Sequence, residues 1–189
     1  MKIRKYKKGD EKGILKLDRL VEEHPWNRRN LENWYWKYKG SNPFGKALVW
    51  VAENNKKIVA TFSIIPLNYY INKKTILGAC SIAMIVHPNY QNKGLIKFVA
   101  DKLFNDAKLN NIKFIYGYPN QNAYEIHKHL FSYEDISQQK LFYKPIKLEK
   151  SIFCFKAEKI NKFDEEINKF LKRIKDQRKV YLKRDKEFL

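Results

Sequence analysis

The stretch from Thr75 to Ile136 constrains the fold of this chain more than any other part of the sequence. It reads as an apolar strand, a short polar loop, an amphipathic helix, a second apolar strand and a second helix. The loop, Gln91 to Ile96, contains a single glycine, Gly94, and turns directly into the first helix. A helix start presents unpaired N–H groups and the positive end of the dipole, which predicts an anion site and favours phosphate. An ordinary structural turn is the alternative reading of an isolated glycine in a polar loop.

Composition limits the class of protein. A chain of 189 residues with 44% hydrophobic and 15% aromatic residues is long and apolar enough for one folded core. No apolar run reaches the length of a membrane span and the N-terminus has no apolar signal core, so we expect a soluble, cytoplasmic protein. Cys80 and Cys154 lie in apolar surroundings, which favours buried free thiols. The histidines and cysteines have no metal-ligand spacing, so no metal site is predicted.

The chain is strongly basic. Lysine and arginine number 39 against 20 acidic residues, a formal charge of 39 − 20 = +19. Such a charge favours polyanionic partners, namely nucleic acid, an anionic membrane surface or phosphorylated ligands. The alternative is that lysine is simply the usual surface residue of this chain. The charge is spread rather than blocked, which argues against a nucleic-acid-binding arm.

The N-terminal third contains a strand and two helices. Lys2 to Tyr6 alternates as an edge strand does, and Asp10 is a candidate N-cap for the helix that follows. Arg28 to Lys39 is a second helix candidate, which Gly40 ends. This helix is unusually aromatic, and its rings either pack on the sheet or line a pocket for an acceptor molecule.

The central strands predict a mixed sheet. Tight turns join three apolar segments into an antiparallel meander, and a helix that starts after Gly94 leads to a parallel strand by a right-handed crossover. A further helix then starts at Asn120 or Asn122. The predicted strands are Lys46 to Glu53, Ile58 to Leu67, Thr75 to Val86, Lys113 to Tyr118 and Leu141 to Ile146.

The C-terminal region predicts a long amphipathic helix from Ile160 with a charged back. This helix either covers the sheet or meets a partner, which would be a second copy of the chain or a second domain. We therefore divide the chain into a folded domain at residues 1–148 and a helix or linker at residues 149–189.

The order of these elements resembles that of the GCN5-related N-acetyltransferase (GNAT) superfamily, over Met1 to about Ile146. The segment from Ile85 to Ile96, IVHPNYQNKGLI, is similar to the family's acyl-CoA segment, V-x-P-x-[Y/F]-[Q/R]-x-x-G-x-[G/A]. Gln91 and Gly94 match this pattern, whereas Ile96 replaces a residue that is usually small. The resemblance implies an α+β fold with a mixed sheet, in which a meander precedes a parallel strand–helix–strand crossover.

The resemblance also implies acetyl-CoA as cofactor. Backbone N–H groups of the loop would bind the pyrophosphate, with Lys93 and Lys97 meeting its phosphates. Backbone groups of the strand end would run beside the pantetheine arm, and Asn120 or Asn122 would contact the cofactor from the far side. The implied cofactor-binding residues are Met84, Ile85, Val86, Gln91, Asn92, Lys93, Gly94, Leu95, Ile96, Lys97, Asn120 and Asn122.

The sequence contains only some of the catalytic residues that the resemblance implies. In this family an amine attacks the thioester directly, a carboxylate or water removes a proton, and a tyrosine often protonates the leaving thiolate. The strand before the loop reads Ser81-Ile82-Ala83-Met84 and has no carboxylate. Tyr124 is a candidate acid, or a structural residue at the edge of the sheet. His127 is the second catalytic candidate. His127 and His129 lie two apart on a helix, so at most one of them faces the cleft, and His87 is read as structural.

These features support an acyl-CoA-dependent N-acyltransferase acting on a small-molecule or peptide amine. A catalytically silent acyl-CoA-binding module is the alternative, and a polyanion-binding protein is a second alternative. The segment Lys183 to Leu189 resembles Arg28 to Trp34 in the order of its residue types, as in relatives with two acetyltransferase-like halves. We therefore expect this chain to correspond to a first half, or to pair through its C-terminal helix.

Overall fold

The computed structural model describes residues 1–21, 30–40, 42–137, 162–174, 180–184 and 186. Within these ranges the chain forms one six-stranded sheet with helices on both of its faces. The strand predicted at Leu141 to Ile146, the expected helix start at Ile160 and the cysteine Cys154 lie outside the described residues.

The sheet has the mixed topology that the sequence predicts. Its order is β1-β2-β3-β4-β5, with β6 beside β3, and every pairing is antiparallel except β4 with β5. Two-residue turns with positive φ at both positions join β2 to β3 and β3 to β4, the geometry that suits a twisted hairpin. The strands are β1 (Lys2–Lys5), β2 (Leu48–Asn54), β3 (Lys57–Ile71), β4 (Lys74–Val86), β5 (Ile115–Gly117) and β6 (Val180–Leu182).

The helices divide between the two faces because strand residues alternate. Val49 and Val51 pack with the first two helices, while Trp50 and Ala52 face the third helix. The larger cluster, around the fully buried Phe62, is closed by the apolar side of that third helix. The helices are α1 (Asp10–Val21), α2 (Leu31–Lys39), α3 (Leu95–Leu109), α4 (Gln121–Glu125) and α5 (Glu165–Ile174), with a π-helical turn at Ile126–Leu130.

Two local predictions are corrected and one strand was missed. Asp10 is the first residue of α1 rather than its N-cap, and its carboxylate accepts hydrogen bonds from the Arg4 guanidinium and the Lys7 N–H instead. The C-terminal helix begins at Glu165, where the Asp164 side chain accepts the N–H of Glu166 as a capping residue does. The three-residue strand β6 is a further element that sequence periodicity missed, because three residues are too few to show a period.

A buried carboxylate fixes α2 against α1. Glu11 is 4% exposed, and its oxygens accept hydrogen bonds from the Tyr6 and Tyr35 hydroxyls at 2.8 and 2.7 Å and from the Gly9 N–H at 2.8 Å. Burial would raise the pKa of Glu11, but the hydrogen bonds outweigh it and lower the pKa from 4.5 to about 2. Lys39 lies over both tyrosine rings. This network joins β1, α1 and α2.

We expect the Glu11 network to make the free energy of unfolding depend on pH in the acid range. A pKa that is lower in the folded state stabilises the protein above 4.5, and the contribution is lost as the pH falls from 4.5 towards 2. Chemical denaturation at pH 7 and pH 3 should therefore show a smaller loss of unfolding free energy for Glu11→Gln than for the wild type. Glu32→Gln, an exposed change near the start of α2, is the matched control and should keep the wild-type difference. Equal pH dependence in Glu11→Gln and wild type would contradict the assignment.

Candidate active site

The parallel strands β4 and β5 part at one end. Their pairing consists of three residue pairs and stops at Ser81 and Gly117, while β4 continues to Val86. Pro119 follows two residues later; it has no N–H for a ladder and disfavours further pairing. A cleft of about 540 Å³ occupies the gap.

The walls of the cleft come from four parts of the chain. The parted ends of β4 and β5 form one side, the N-terminal helices form the opposite side, and the start of α4 closes the end. The lining residues are Ile14, Leu15 and Asp18 of α1; Asn30, Asn33, Trp34, Lys37 and Tyr38 at α2; Cys80 to Ile85 of β4; and Tyr118, Pro119, Asn120, Ala123 and His127.

A β-bulge turns the end of β4 towards this cleft. Ser63 of β3 pairs with Ile82 and Thr61 pairs with Ile85, so Ala83 and Met84 stand opposite a single β3 residue. Ala83 has a φ of 46°, a left-handed conformation that is uncommon for a residue with a side chain. Bulges of this kind re-aim the backbone and are frequent beside functional sites. Met84 and Ile85, two of the predicted cofactor-binding residues, therefore line the cleft.

The loop after β4 leads directly into α3. Gly94 precedes the helix with a φ of 68°, and no side chain caps the first N–H groups. A Cβ added to Gly94 would meet no atom within 4 Å, so the space in front of the helix start is open. An open helix N-terminus with left-handed glycine is suited to an anion, and the loop fits a phosphate-bearing cofactor on this ground.

The other loop residues have separate roles. The Gln91 side chain donates to the Val86 carbonyl at 3.0 Å and Lys93 donates to the Asn89 carbonyl at 2.9 Å, so both hold the loop's own shape. Asn92 is left-handed, with a φ of 58°. Leu95 and Ile96 are buried in the core and offer only their backbone to the loop, while Lys97 is exposed in the first turn of α3.

His127 is the buried polar residue at the end of the cleft. It is 6% exposed and belongs to the π-helical turn, a feature that is frequent at functional sites. Its Nδ1 lies 2.7 Å from the Ala123 carbonyl and its Nε2 lies 3.4 Å from the Ser81 hydroxyl. His129 is exposed and pairs with Glu125, so one histidine of the two faces the cleft, as the spacing required.

Tyr124 points elsewhere. Its hydroxyl donates to Asp135 at 2.9 Å and accepts from Lys128 at 2.7 Å, and it does not line the cleft. The two asparagines are both exposed but differ in position: the Asn120 side chain accepts the Ala123 N–H at 2.9 Å as the N-cap of α4 and lines the cleft, whereas Asn122 does not line it. His87 likewise caps the short 3₁₀ turn through the Asn89 N–H, at 3.2 Å.

Sequence reasoning named the aromatic rings of α2 as one possible pocket lining, and Trp34 and Tyr38 do line the cleft, but it missed Asp18 and Ser81. Among the described residues that line the cleft, Asp18 carries the one carboxylate. It lies four residues after Ile14, so helical spacing could have placed both on one face. Burial raises the pKa of Tyr38 to about 12, the Ser63 hydroxyl opposes this, and Asp18 adds to it. No sequence signal marked Ser81, because its position depends on where β4 and β5 separate.

Neither a membrane-crossing helix nor a metal-binding cluster occurs in the described part of the chain. No described helix is long and apolar enough to span a bilayer. No three His, Cys, Asp or Glu side chains of those residues meet as metal ligands would.

The fold is that of known acetyltransferases. A predicted acetyltransferase from Clostridium acetobutylicum, determined with acetyl-CoA, superposes with a TM-score of 0.61 at 21% identity, over 75% of this chain and 95% of the other. Glucosamine-6-phosphate N-acetyltransferase from Arabidopsis thaliana has a TM-score of 0.58 at 17% identity, covering 75% and 97%. An aminoglycoside 6′-N-acetyltransferase from Acinetobacter haemolyticus has a TM-score of 0.58 at 14% identity, covering 78% and 100%.

At these identities the structural likeness establishes the fold alone. The family model for the acetyltransferase (GNAT) domain matches residues 2–130. The chain therefore belongs to the GNAT acetyltransferase family, a family of N-acetyltransferases that use acetyl-CoA. No protein of curated function matches its sequence.

Substitutions of Asn120 and Asn122 test whether Asn120 caps α4 at the end of the cleft. Asn120→Ala removes the N-cap and should lower the unfolding free energy by about 1 kcal/mol. Asn122→Ala changes an exposed residue of the same helix and should stay within about 0.5 kcal/mol of the wild type. Urea denaturation measures both variants, and an equal loss in the two would contradict the capping role of Asn120.

Proposed function

We propose that this protein transfers the acetyl group of acetyl-CoA to a primary amine by direct attack of the amine on the thioester. Three features that follow one another along the chain carry the proposal: the parted strands, the bulge at Ala83 and the uncapped start of α3. Acetyl-CoA supplies the acetyl group as an activated thioester. The chain's own residues bind the cofactor and the amine and accept the proton.

The cofactor half of the site is the loop and the strand end. Backbone N–H groups between Asn92 and Ile96 would bind the pyrophosphate, and Gly94 leaves room for its approach. The Gln91 N–H already donates to the Pro88 carbonyl at 3.1 Å, so Gln91 supports the loop instead. Lys97 adds positive charge at the first turn of α3, while Lys93 also fastens the loop. The backbone of Met84, Ile85 and Val86 runs beside the pantetheine arm as an added strand would. Asn120 would contact the cofactor from the β5 side, because it lines the cleft and Asn122 does not.

The acceptor half of the site is the wall formed by α1 and α2. Trp34 and Tyr38 provide apolar surface, with ring centroids 4.7 Å apart. Asp18 provides a negative charge to attract an ammonium group, and Lys37 lies on the same wall. A cleft of about 540 Å³ suits a small amine or the side chain of a peptide.

His127 accepts the proton that the amine must lose. It lines the cleft, it is buried, and hydrogen bonds at both ring nitrogens fix its orientation. Tyr124, the other catalytic candidate, would need to leave Asp135 and Lys128 before it could protonate a thiolate in the cleft. The geometry thus favours His127 over Tyr124.

A silent acyl-CoA-binding module is the second candidate function. It is favoured by the orientation of Tyr124 and by the lack of a carboxylate in the Ser81 to Met84 segment. Release of free CoA thiol from acetyl-CoA across an amino sugar, a diamine and a lysine-containing peptide separates the two functions. Thiol release with at least one amine supports the enzyme, whereas binding of acetyl-CoA without release supports the silent module.

Isothermal titration with acetyl-CoA tests the cofactor site. Gly94→Trp places a large side chain in the open space before α3 and should weaken the affinity at least about tenfold, or ~1.4 kcal/mol. Gly9→Trp is the matched control for backbone strain, since Gly9 also has a positive φ of 104° with no atom within 4 Å of an added Cβ, but precedes α1 and not α3. Unchanged affinity in Gly94→Trp would refute the loop assignment, and no wild-type binding at sub-millimolar acetyl-CoA would refute the proposal itself.

A further inference from the structure

We propose that the Ser81 hydroxyl takes the proton from the acceptor amine and passes it to His127. This inference rests on the proposed function, and it adds a residue and a proton path to it. Ser81 is the last residue of β4 that pairs with β5, so it stands where the cleft opens between the two strands. The serine and histidine together would replace the carboxylate that the strand lacks.

The hydrogen bonds of His127 define the direction of the path. A carbonyl oxygen can only accept, so the contact of Nδ1 with the Ala123 carbonyl at 2.7 Å places the ring hydrogen on Nδ1. In the neutral ring Nε2 then carries the lone pair, and its polar neighbour is the Ser81 hydroxyl at 3.4 Å. A hydroxyl can donate to Nε2 and accept from a third group at the same time. Ser81 can therefore link the amine to the imidazole.

Aromatic rings close the other sides of the imidazole. The ring centroids of Phe62, Phe131 and Tyr133 lie 6.3, 5.9 and 4.9 Å from that of His127, all near perpendicular to it. These contacts keep water from the ring, and His127 is accordingly 6% exposed. Of the two polar edges of the ring, the one at Nδ1 is occupied by the Ala123 carbonyl, and the one at Nε2 faces the Ser81 hydroxyl.

Gly117 allows Ser81 to occupy this position. A Cβ at Gly117 would lie 3.2 Å from the Ser81 Cβ and 3.6 Å from its hydroxyl oxygen. A larger residue in β5 would press the serine side chain away from its present place. The pair of Gly117 and Ser81 thus fixes the hydroxyl at the point where the strands separate.

The proton balance of the step is complete. The amine nitrogen forms a bond to the acetyl carbon, the thioester C–S bond breaks, and its electron pair stays on sulfur. A proton leaves the nitrogen for the Ser81 oxygen as the serine proton moves to Nε2 of His127. The imidazolium then returns one proton to the thiolate, so the products are an amide and the free thiol.

The neighbouring titratable groups do not compete with His127 as the proton acceptor. Burial raises the pKa of Cys80 beside Ser81 and the pKa of Tyr133 against the imidazole, so both stay protonated at neutral pH. On the histidine's own helix, Lys128 pairs with Asp135 and Glu125 with His129. Asp18 and Lys37 line the cleft as well, on its opposite wall.

The test combines kinetics with nuclear magnetic resonance on the full chain. With the amine identified by the thiol-release panel, Ser81→Ala and His127→Gln should each lower kcat/KM about 10²-fold or more at neutral pH. The acid limb of the wild-type kcat/KM profile should disappear in His127→Gln, and acetyl-CoA affinity should stay within about threefold in both variants. His129→Gln is the matched control, an exposed histidine of the same turn, and should keep wild-type kinetics.

Histidine ¹⁵N spectra of the free protein provide the readout that does not need activity. The wild type should show the Nδ1–H tautomer for His127, and Ser81→Ala should move the Nε2 resonance while Nδ1 stays nearly fixed. An Nε2–H tautomer, or a Ser81→Ala variant within about twofold of wild-type kcat/KM, would overturn the proposal. Absence of acetyl transfer to any amine would instead refute the proposed function, and the relay with it. The ¹⁵N spectra would still show in that case whether Ser81 and His127 are hydrogen-bonded.

Discussion

The early end of the β4–β5 pairing is the constraint on which the site depends. β4 is held along its other edge by a long antiparallel ladder with β3, so it cannot follow β5 when that strand leaves. β5 leaves because its third residue is followed by Tyr118 and Pro119, and proline cannot donate to a ladder. The strand that stays then bulges at Ala83, and the strand that leaves turns into α4. The cleft between β4 and β5, which His127 lines, opens at this one divergence.

Four carboxylates of this basic chain hold elements of the fold together. Asp10 and Glu53 bind Arg4, Glu11 binds two tyrosines, and Asp106 accepts from Lys5 and Trp50. Each of these contacts ties a helix or strand to another near the sheet. The cleft, by contrast, is lined mainly by neutral residues, with Asp18 on the far wall. An imidazole and a hydroxyl are therefore the groups that stand beside the parted strands, where the amine would react.

Sequence periodicity predicted the sheet and the loop better than it predicted the catalytic side chains. The meander, the parallel crossover and the glycine before α3 follow from local patterns that tertiary contacts did not override. Tyr124 and His127, three residues apart, would share a face of a regular α-helix. The π-helical turn that begins at Ile126 changes the rotation between them, and Asp135 draws the tyrosine hydroxyl away. No local sequence pattern marks Ser81, since its proposed role depends on where β5 stops pairing with β4.

Ile96 shows why the loop can depart from the family's pattern and keep its geometry. A bulky residue at that position would obstruct a phosphate if its side chain faced the loop. Here the Ile96 side chain is 7% exposed and packs in the core with Val99 and Leu103. Helical side chains lean towards the N-terminus of the helix, but the residue's N–H points out of the first turn regardless of side-chain size. An anion held by backbone N–H groups requires open space at Gly94. It does not require a small residue at position 96, because the Ile96 side chain is buried in the core.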